Sequence, residues 1–229
     1  MLLSSLLLVA CGGGGGGPAP APVASTSTFQ LKQAYANDFN DTLPYSYTIT
    51  GVISGANIAG NGSTTQSAVA NTTFEGVTAL QKSRTSSGSV VASGPGGTVN
   101  IPLAPSTETL FLSPTFNLLG YTSTGAYTVA AAPVTIPVTA LVGNSGIIGN
   151  FNTFTSSAKL GVPATNLISW SLEPDTATTA LMKLTQTIRS NTGVLTATAV
   201  DTFRVTPAGA VTRISQTAVT ANGTLTLTY

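Results

Sequence analysis

From Ile168 to the C-terminus, apolar side chains fall at every second position, the spacing that turns one face of a β-strand to a core and leaves the other wet. Ile168, Trp170 and Leu172 share one face of a strand that stops at Glu173-Pro174-Asp175. Over 178–190 the apolar face is even-numbered, with Ala180, Met182, Leu184 and Ile188. Over 194–206 it is odd-numbered, with Leu195, Ala197, Ala199, Phe203 and Val205. The hairpin at Asn191-Thr192-Gly193 must therefore have an even loop to bring both faces to one core. Turns at Pro207-Ala208-Gly209 and Ala221-Asn222-Gly223 add a weakly alternating strand over 210–220 and a last one bearing Leu225, Leu227 and Tyr229. The C-terminal part is expected to be an antiparallel meander.

Upstream, Tyr45, Tyr47, Ile49 and Ile53 alternate with Ser46, Thr48, Thr50 and Val52, again a strand with one wet face. Shorter strands are expected near 63–73, 76–85, 88–93, 108–112, 126–130 and 134–142, separated by Gly, Pro, Asn and Ser. Pro102, Pro105, Pro114, Pro133 and Pro137 remove ladder donors, so strands in the middle should be edges or interrupted. The one helical spacing is that of Phe29, Leu31, Tyr35 and Phe39, with Thr28 as its cap. The expected fold is all-β: an antiparallel meander forming a curved sheet, either barrel-like or a sandwich, with one short N-terminal helix. No repeat of fixed period is present.

The N-terminus has a different character. Leu2 to Ala10 is an apolar run of about nine residues, well short of the ~20 that cross a bilayer as a helix, and reads as a signal-peptide h-region. It ends at Cys11, and Gly12 to Gly17 and the alternating prolines from Pro18 to Pro22 then form a tether, flexible in its first part and extended in its second. The chain divides into a signal peptide (1–10), a cysteine with its tether (11–27) and a single β-rich domain (28–229). The glycine run satisfies G-x-G-x-x-G at Gly12, Gly14 and Gly17, but follows no strand, opens no helix and carries no nucleotide-binding meaning.

The four residues Leu8-Val9-Ala10-Cys11 resemble the lipobox of Gram-negative bacterial lipoproteins, although no Lys or Arg precedes the apolar run. The resemblance implies cleavage between Ala10 and Cys11 and lipidation of Cys11, whose thiolate is the nucleophile that accepts the diacylglyceryl group. A third acyl chain on the freed amine is implied as well. Gly12 stands where inner-membrane lipoproteins usually carry Asp, which implies the outer membrane, with the leaflet left open. Small envelope lipoproteins of this look have no assigned activity.

Composition narrows the function classes. Charged residues are 7% of the chain, against ~25% in ordinary proteins. With eight basic and seven acidic side chains there is no patch to neutralise phosphates, which argues against nucleic acid. A hydrophobic content of 42% and a mean hydropathy of +0.32 supply a core rather than disorder. Ser and Thr, over a quarter of the residues, must do the solvating. There is no histidine, and Cys11 is the lone cysteine, so Ser-His-Asp and Cys-His catalysis and ordinary zinc sites are excluded, and no cofactor or metal is expected.

The remaining motifs carry little chemistry. Gly143-Asn144-Ser145-Gly146 resembles a protease nucleophile loop but lacks its Asp and any base, and reads as a turn. Ser156 and Lys159 match S-x-x-K without its partner motifs. Glu173 and Asp175 suit a polar turn better than a glycosidase acid pair. Tyr45, Tyr47, Tyr121, Tyr127 and Trp170 would stack on sugars if exposed, but alternation points Tyr45, Tyr47 and Trp170 inward. Asp201 is the exception: it falls on an apolar face between Ala199 and Phe203, where an unpaired carboxylate is costly. A three-residue turn at Pro207-Ala208-Gly209 would place Ser215 opposite Asp201 and Arg213 diagonal to it, so a buried Asp201–Arg213 pair is expected. Three readings follow: a non-enzymatic, lipid-anchored envelope protein whose β-domain binds an envelope partner or an apolar ligand; a surface module for glycans or adhesion; and a carboxylate-dependent hydrolase using Glu173, Asp175 and Asp201.

Overall fold

The computed structural model describes residues 24–229. The expected cleavage site at Ala10, the lipidation site at Cys11 and the glycine run lie outside the described residues. One helix, α1 (Leu31–Asn40), precedes thirteen strands. These are β1 (Tyr45–Ile53), β2 (Ala56–Gln66), β3 (Ala70–Phe74), β4 (Val77–Gly94), β5 (Gly97–Leu112), β6 (Leu118–Ser123) and β7 (Ala126–Ala130), then β8 (Ser145–Phe154), β9 (Ala164–Pro174), β10 (Ala180–Arg189), β11 (Leu195–Val205), β12 (Val211–Thr220) and β13 (Gly223–Thr228).

The strands are all antiparallel, and twelve of them close into a barrel, with β3 as the extra strand. The order runs β2-β1-β13-β12 and then down in sequence to β4, and β2 pairs with β4 to shut the ring. β4 is long enough to take two partners along one edge, β3 beside Val77–Gln81 and β2 beside Arg84–Ser93. At this seam Gly62 and Gly88 face each other in register. A Cβ on Gly88 would lie 2.3 Å from the Asn61 carbonyl oxygen, so the close approach needs hydrogen there.

The alternation expected of the C-terminal meander sets the register. Ala180, Met182, Leu184 and Ile188 stand opposite Val205, Phe203, Asp201 and Ala197, even against odd, so both apolar faces meet inside. Elsewhere the elements differ from expectation for identifiable reasons. The segments 76–85 and 88–93 are one strand. The segment 134–142 is not a strand: Pro133 and Pro137 remove donors, Val134 and Ile136 are buried as core plugs, and only Ala140 bridges, to Phe29. The segment expected as one strand near 63–73 is the end of β2 and most of β3, parted at 67–69. The first half of β2 went unrecognised because Gly60 and Gly62 erase its alternation, and β8 because a bulge between Ile147 and Gly149 breaks the period. Pro102 and Pro105 do sit within β5, on a stretch that pairs only with β4, since β6 pairs with β5 only at Thr109–Leu112. Pro105 also falls at a bulge, where the register shifts between Ser86 and Gly88.

The helix starts at Leu31 rather than Phe29 because Phe29 exchanges backbone hydrogen bonds with Ala140 at 2.9 and 3.0 Å and is held extended. Gln30, not Thr28, takes the cap position, without a side-chain cap. Leu31 and Ala34 pack on Leu172, Ala180, Met182 and Val205 from β9–β11, while Phe39 packs on Leu112, Leu118 and Phe151 from β5, β6 and β8. The helix therefore crosses one end of the barrel from wall to wall and stops it. Lys82, 0% exposed, donates to the Asp41 carbonyl at the helix C-terminus, where a cation meets the negative end of the helix dipole. Burial pushes its pKa down to about 8.

The glycine seam gives a test. Gly88→Val should force β2 and β4 apart and destabilise the protein by more than ~2 kcal/mol, while Ser89→Val on the exposed face should change stability by no more than ~0.5 kcal/mol. Urea unfolding of the two variants measures both.

Candidate functional site in the barrel lumen

Inward positions change character along each strand. β5 presents Leu112 and Leu110 near the helix, then Glu108 and Ser106. β11 presents Val205 and Phe203, then Asp201. β4 presents Arg84 and Ser86, and β12 presents Arg213 and, across a bulge, Gln216. With Asp38 from α1, these residues other than Leu112 and Val205 line a cavity of about 310 Å³. Two of the eight basic and three of the seven acidic side chains of the chain face it. Its other walls are apolar, formed by Leu110, Leu118, Ile148, Ile168, Leu184 and Leu227, with Tyr35, Tyr45, Tyr47, Tyr121 and Tyr229 around the sides.

The ionic contacts are unevenly distributed. Asp38 takes both arginines: Arg84 Nη2 lies 2.8 Å from its Oδ2, and Arg213 Nη2 pairs with its Oδ1. The Arg213 guanidinium lies 4.7 Å from the Tyr45 ring centre and 5.6 Å from that of Phe203, sandwiched by cation–π contacts. Asp201 accepts a 2.7 Å hydrogen bond from the Gln216 amide. Glu108 stands opposite Arg84 in register, yet among the described residues neither a hydrogen bond nor an ion pair within 4 Å engages its carboxylate. Burial pushes both the Glu108 and the Asp201 carboxyls above their ordinary range, against the pull of the arginines. Burial likewise raises the phenols of Tyr35 and Tyr229.

Asp201 and Arg213, expected to pair with each other, do share this lumen, but Arg213 forms its ion pair with Asp38 instead. The reason is the bulge between Thr202 and Phe203, which sets Gln216 opposite Asp201 and Arg213 opposite Phe203. Three charged residues of the lumen went unread. Asp38 had a signal, since Leu31, Ala34, Tyr35 and Asp38 follow one helical stripe. Glu108 shares the even-numbered face of Leu110 and Leu112, and Arg84 that of Leu80 and Lys82; each alternation was there to be followed.

The other candidates lie outside the lumen. Glu173 pairs with Lys183 at 2.6 Å, and Asp175 with Arg204 at 2.7 Å and the Thr179 hydroxyl at 2.6 Å. The Arg204 and Thr179 hydrogen bonds hold the Asp175 carboxyl below its ordinary range. Neither acid shares a cavity with Asp201, so the three do not form a hydrolytic set. Lys159 pairs with Glu75, and Ser156 is in an exposed loop. Gly143–Gly146 begins as a turn, closed by the Asn144 amide on the Leu141 carbonyl at 3.0 Å. Tyr45, Tyr47 and Tyr229 pack edge-to-face or tilted on one another, 5.3–6.5 Å apart, rather than forming an outer row. Among the described residues no group of three or more acidic, His or Cys side chains is arranged to hold a metal.

Two predictions follow from this geometry. A carboxyl whose pKa is raised by folding adds stability below its unfolded pKa of about 4 and loses that contribution as pH rises through the raised value. Glu108→Gln should therefore unfold at a higher temperature than the parent at pH 7, by about 2–4 °C per ~1 kcal/mol relieved, and the gap should close near pH 4. Calorimetry across that range checks it. Asp38→Ala leaves two buried guanidiniums unpaired and should cost about 3–5 kcal/mol. In denaturant it should exceed Asp201→Ala, which strands only an amide.

No protein-family model, curated protein or solved structure matches this chain, so its assignment rests on the residues of the lumen.

Proposed function

We propose that this chain is a lipid-anchored protein of the bacterial outer membrane that holds a small ligand bearing a charged group inside its barrel, without chemical turnover. The observation that carries the reading is where the charge lies: a chain that is only 7% charged turns five charged side chains into one cavity. Buried ions cost desolvation, and apolar residues of the same volume would give an equal or better core. The unpartnered Glu108 adds nothing to the fold. A cavity of about 310 Å³ is at the lower end of ligand-pocket sizes, with convergent polar groups on an apolar wall as binding sites have. The charged belt favours a ligand with a charged group over the apolar ligand expected, beside an envelope partner, from the sequence.

The barrel exterior suits an aqueous setting at the end of a tether. Ser46, Thr48 and Thr50 on β1 and Asn61, Ser63 and Thr65 on β2 point outward, where a lipid-facing strand carries apolar side chains. Among the described residues the exposed large hydrophobics are aliphatic, which gives a glycan-stacking surface no support.

Two measurements test this reading. Native mass spectrometry of the protein extracted from Gram-negative cells should show a small-molecule adduct that is lost on filling the lumen with Leu184→Trp; an adduct-free mass in several hosts, with no ligand raising the unfolding midpoint, would overturn it. Cys11→Ser should move the protein from the membrane to the soluble fraction, because stable attachment needs two or more acyl chains. Continued membrane attachment of that variant with normal processing would end the anchor reading.

A further inference from the structure

We infer that the ligand of the lumen is an organic monocation, a primary ammonium on a short apolar chain, held by Glu108 and Asp201. The inference rests on the reading of the lumen as a ligand site and goes beyond it in naming the chemistry.

Its basis is which charges are already satisfied. Asp38 pairs with both arginines, so neither faces the lumen without a carboxylate, although Arg213 Nη2, buried beside Asp38, makes no hydrogen bond among the described residues. The other two acids have no cation of their own. Asp201 has one neutral amide, and Glu108 faces the cavity with no protein partner. Of the charged groups that line the cavity, Asp38 has both arginines while Glu108 and Asp201 have no cation within 4 Å among the described residues, and the buried Lys82 is off the lining and donates to the Asp41 carbonyl. A single ammonium supplies the partner these two carboxylates lack. An ammonium has three donors in a compact head, enough for both carboxylates at once.

The apolar wall fixes the remainder of the ligand. Leu110 is the next inward position after Glu108, and Leu184 stands directly opposite Asp201. Ile148 and Ile168 continue the same wall. A carbon chain attached to the bound nitrogen therefore runs onto aliphatic surface rather than into water. A bare metal ion would leave that wall unused and find too few ligands. Burial holds both carboxyls reluctant to ionise, and a cation bound beside them favours their charged forms.

The test uses three probes of one length, n-hexylammonium, 1-hexanol and hexanoate, titrated into the full-length protein by calorimetry and by methyl NMR of Leu110 and Leu184. Hexylammonium should bind at least tenfold more tightly than hexanol, and hexanoate should not bind. Glu108→Gln and, as a second variant of similar shape, Asp201→Asn should each weaken hexylammonium at least tenfold and leave hexanol unchanged. If hexanol or hexanoate binds as well as hexylammonium, or both variants keep the parent affinity, the monocation is wrong while the lumen remains a ligand site. If none of the three binds and extracted protein carries another adduct, the monocation is again wrong and the ligand site stands. If none binds and there is no adduct, both readings fall.

Discussion

One carboxylate organises this molecule. Asp38 reaches from a ten-residue helix into the barrel and is gripped by Arg84 from one wall and Arg213 from another. The three residues are far apart in sequence, so the contact exists only once the ring has closed and the helix has seated. Buried ion pairs add little net stability, but any arrangement that leaves one partner alone is heavily disfavoured. The helix is consequently fixed in one rotation and at one depth, with Tyr35 and Phe39 facing the lumen. Lys82 on the Asp41 carbonyl secures the same, C-terminal end of the plug.

That clasp also decides what the lumen can offer. By pairing with both arginines it leaves Glu108 and Asp201 without a cation of their own. Hydroxyls on the outer faces do much of the solvating, so five of the fifteen charged side chains can face inward. The wall tolerates this because its strands curl tightly at glycines such as Gly62 and Gly88, with the Tyr47 ring lying over Gly62 where a Cβ would come within 2.3 Å of it. Stability and the polar interior are therefore in tension, and the apolar packing at the helix end, around Phe151 and Leu172, supplies the compensating cohesion.

Much of the architecture was legible in the sequence, and the losses have physical causes. Period-two patterning identified the C-terminal strands, their inward faces and the oddity of Asp201, because those positions carry large side chains on one side only. The first half of β2 was unreadable because glycine has no side chain to alternate. The segment from Val134 to Ala140 misled because proline-separated apolar residues imitate a strand while plugging a core. Closure of the barrel through β2 and β4 depends on residues thirty apart and on no local signal. The lumen was half visible: Asp201 and Arg213 were found, but the bulge that redirects Arg213 to Asp38 depends on backbone geometry, to which side-chain pattern is blind.

The prolines of β5 have a consequence for the molecule among its neighbours. Between Gly97 and Ser106 this strand presents a free edge, with Val99, Ile101 and Leu103 exposed beside it, the sort of surface on which a second chain adds a strand. Pro102 and Pro105 withhold donors from that edge, and the bulge at Pro105 bends it out of line. A foreign strand finds an interrupted ladder there. This stretch of free edge is thereby made a poor template, and copies of the protein can crowd together without being stitched into a shared sheet along it.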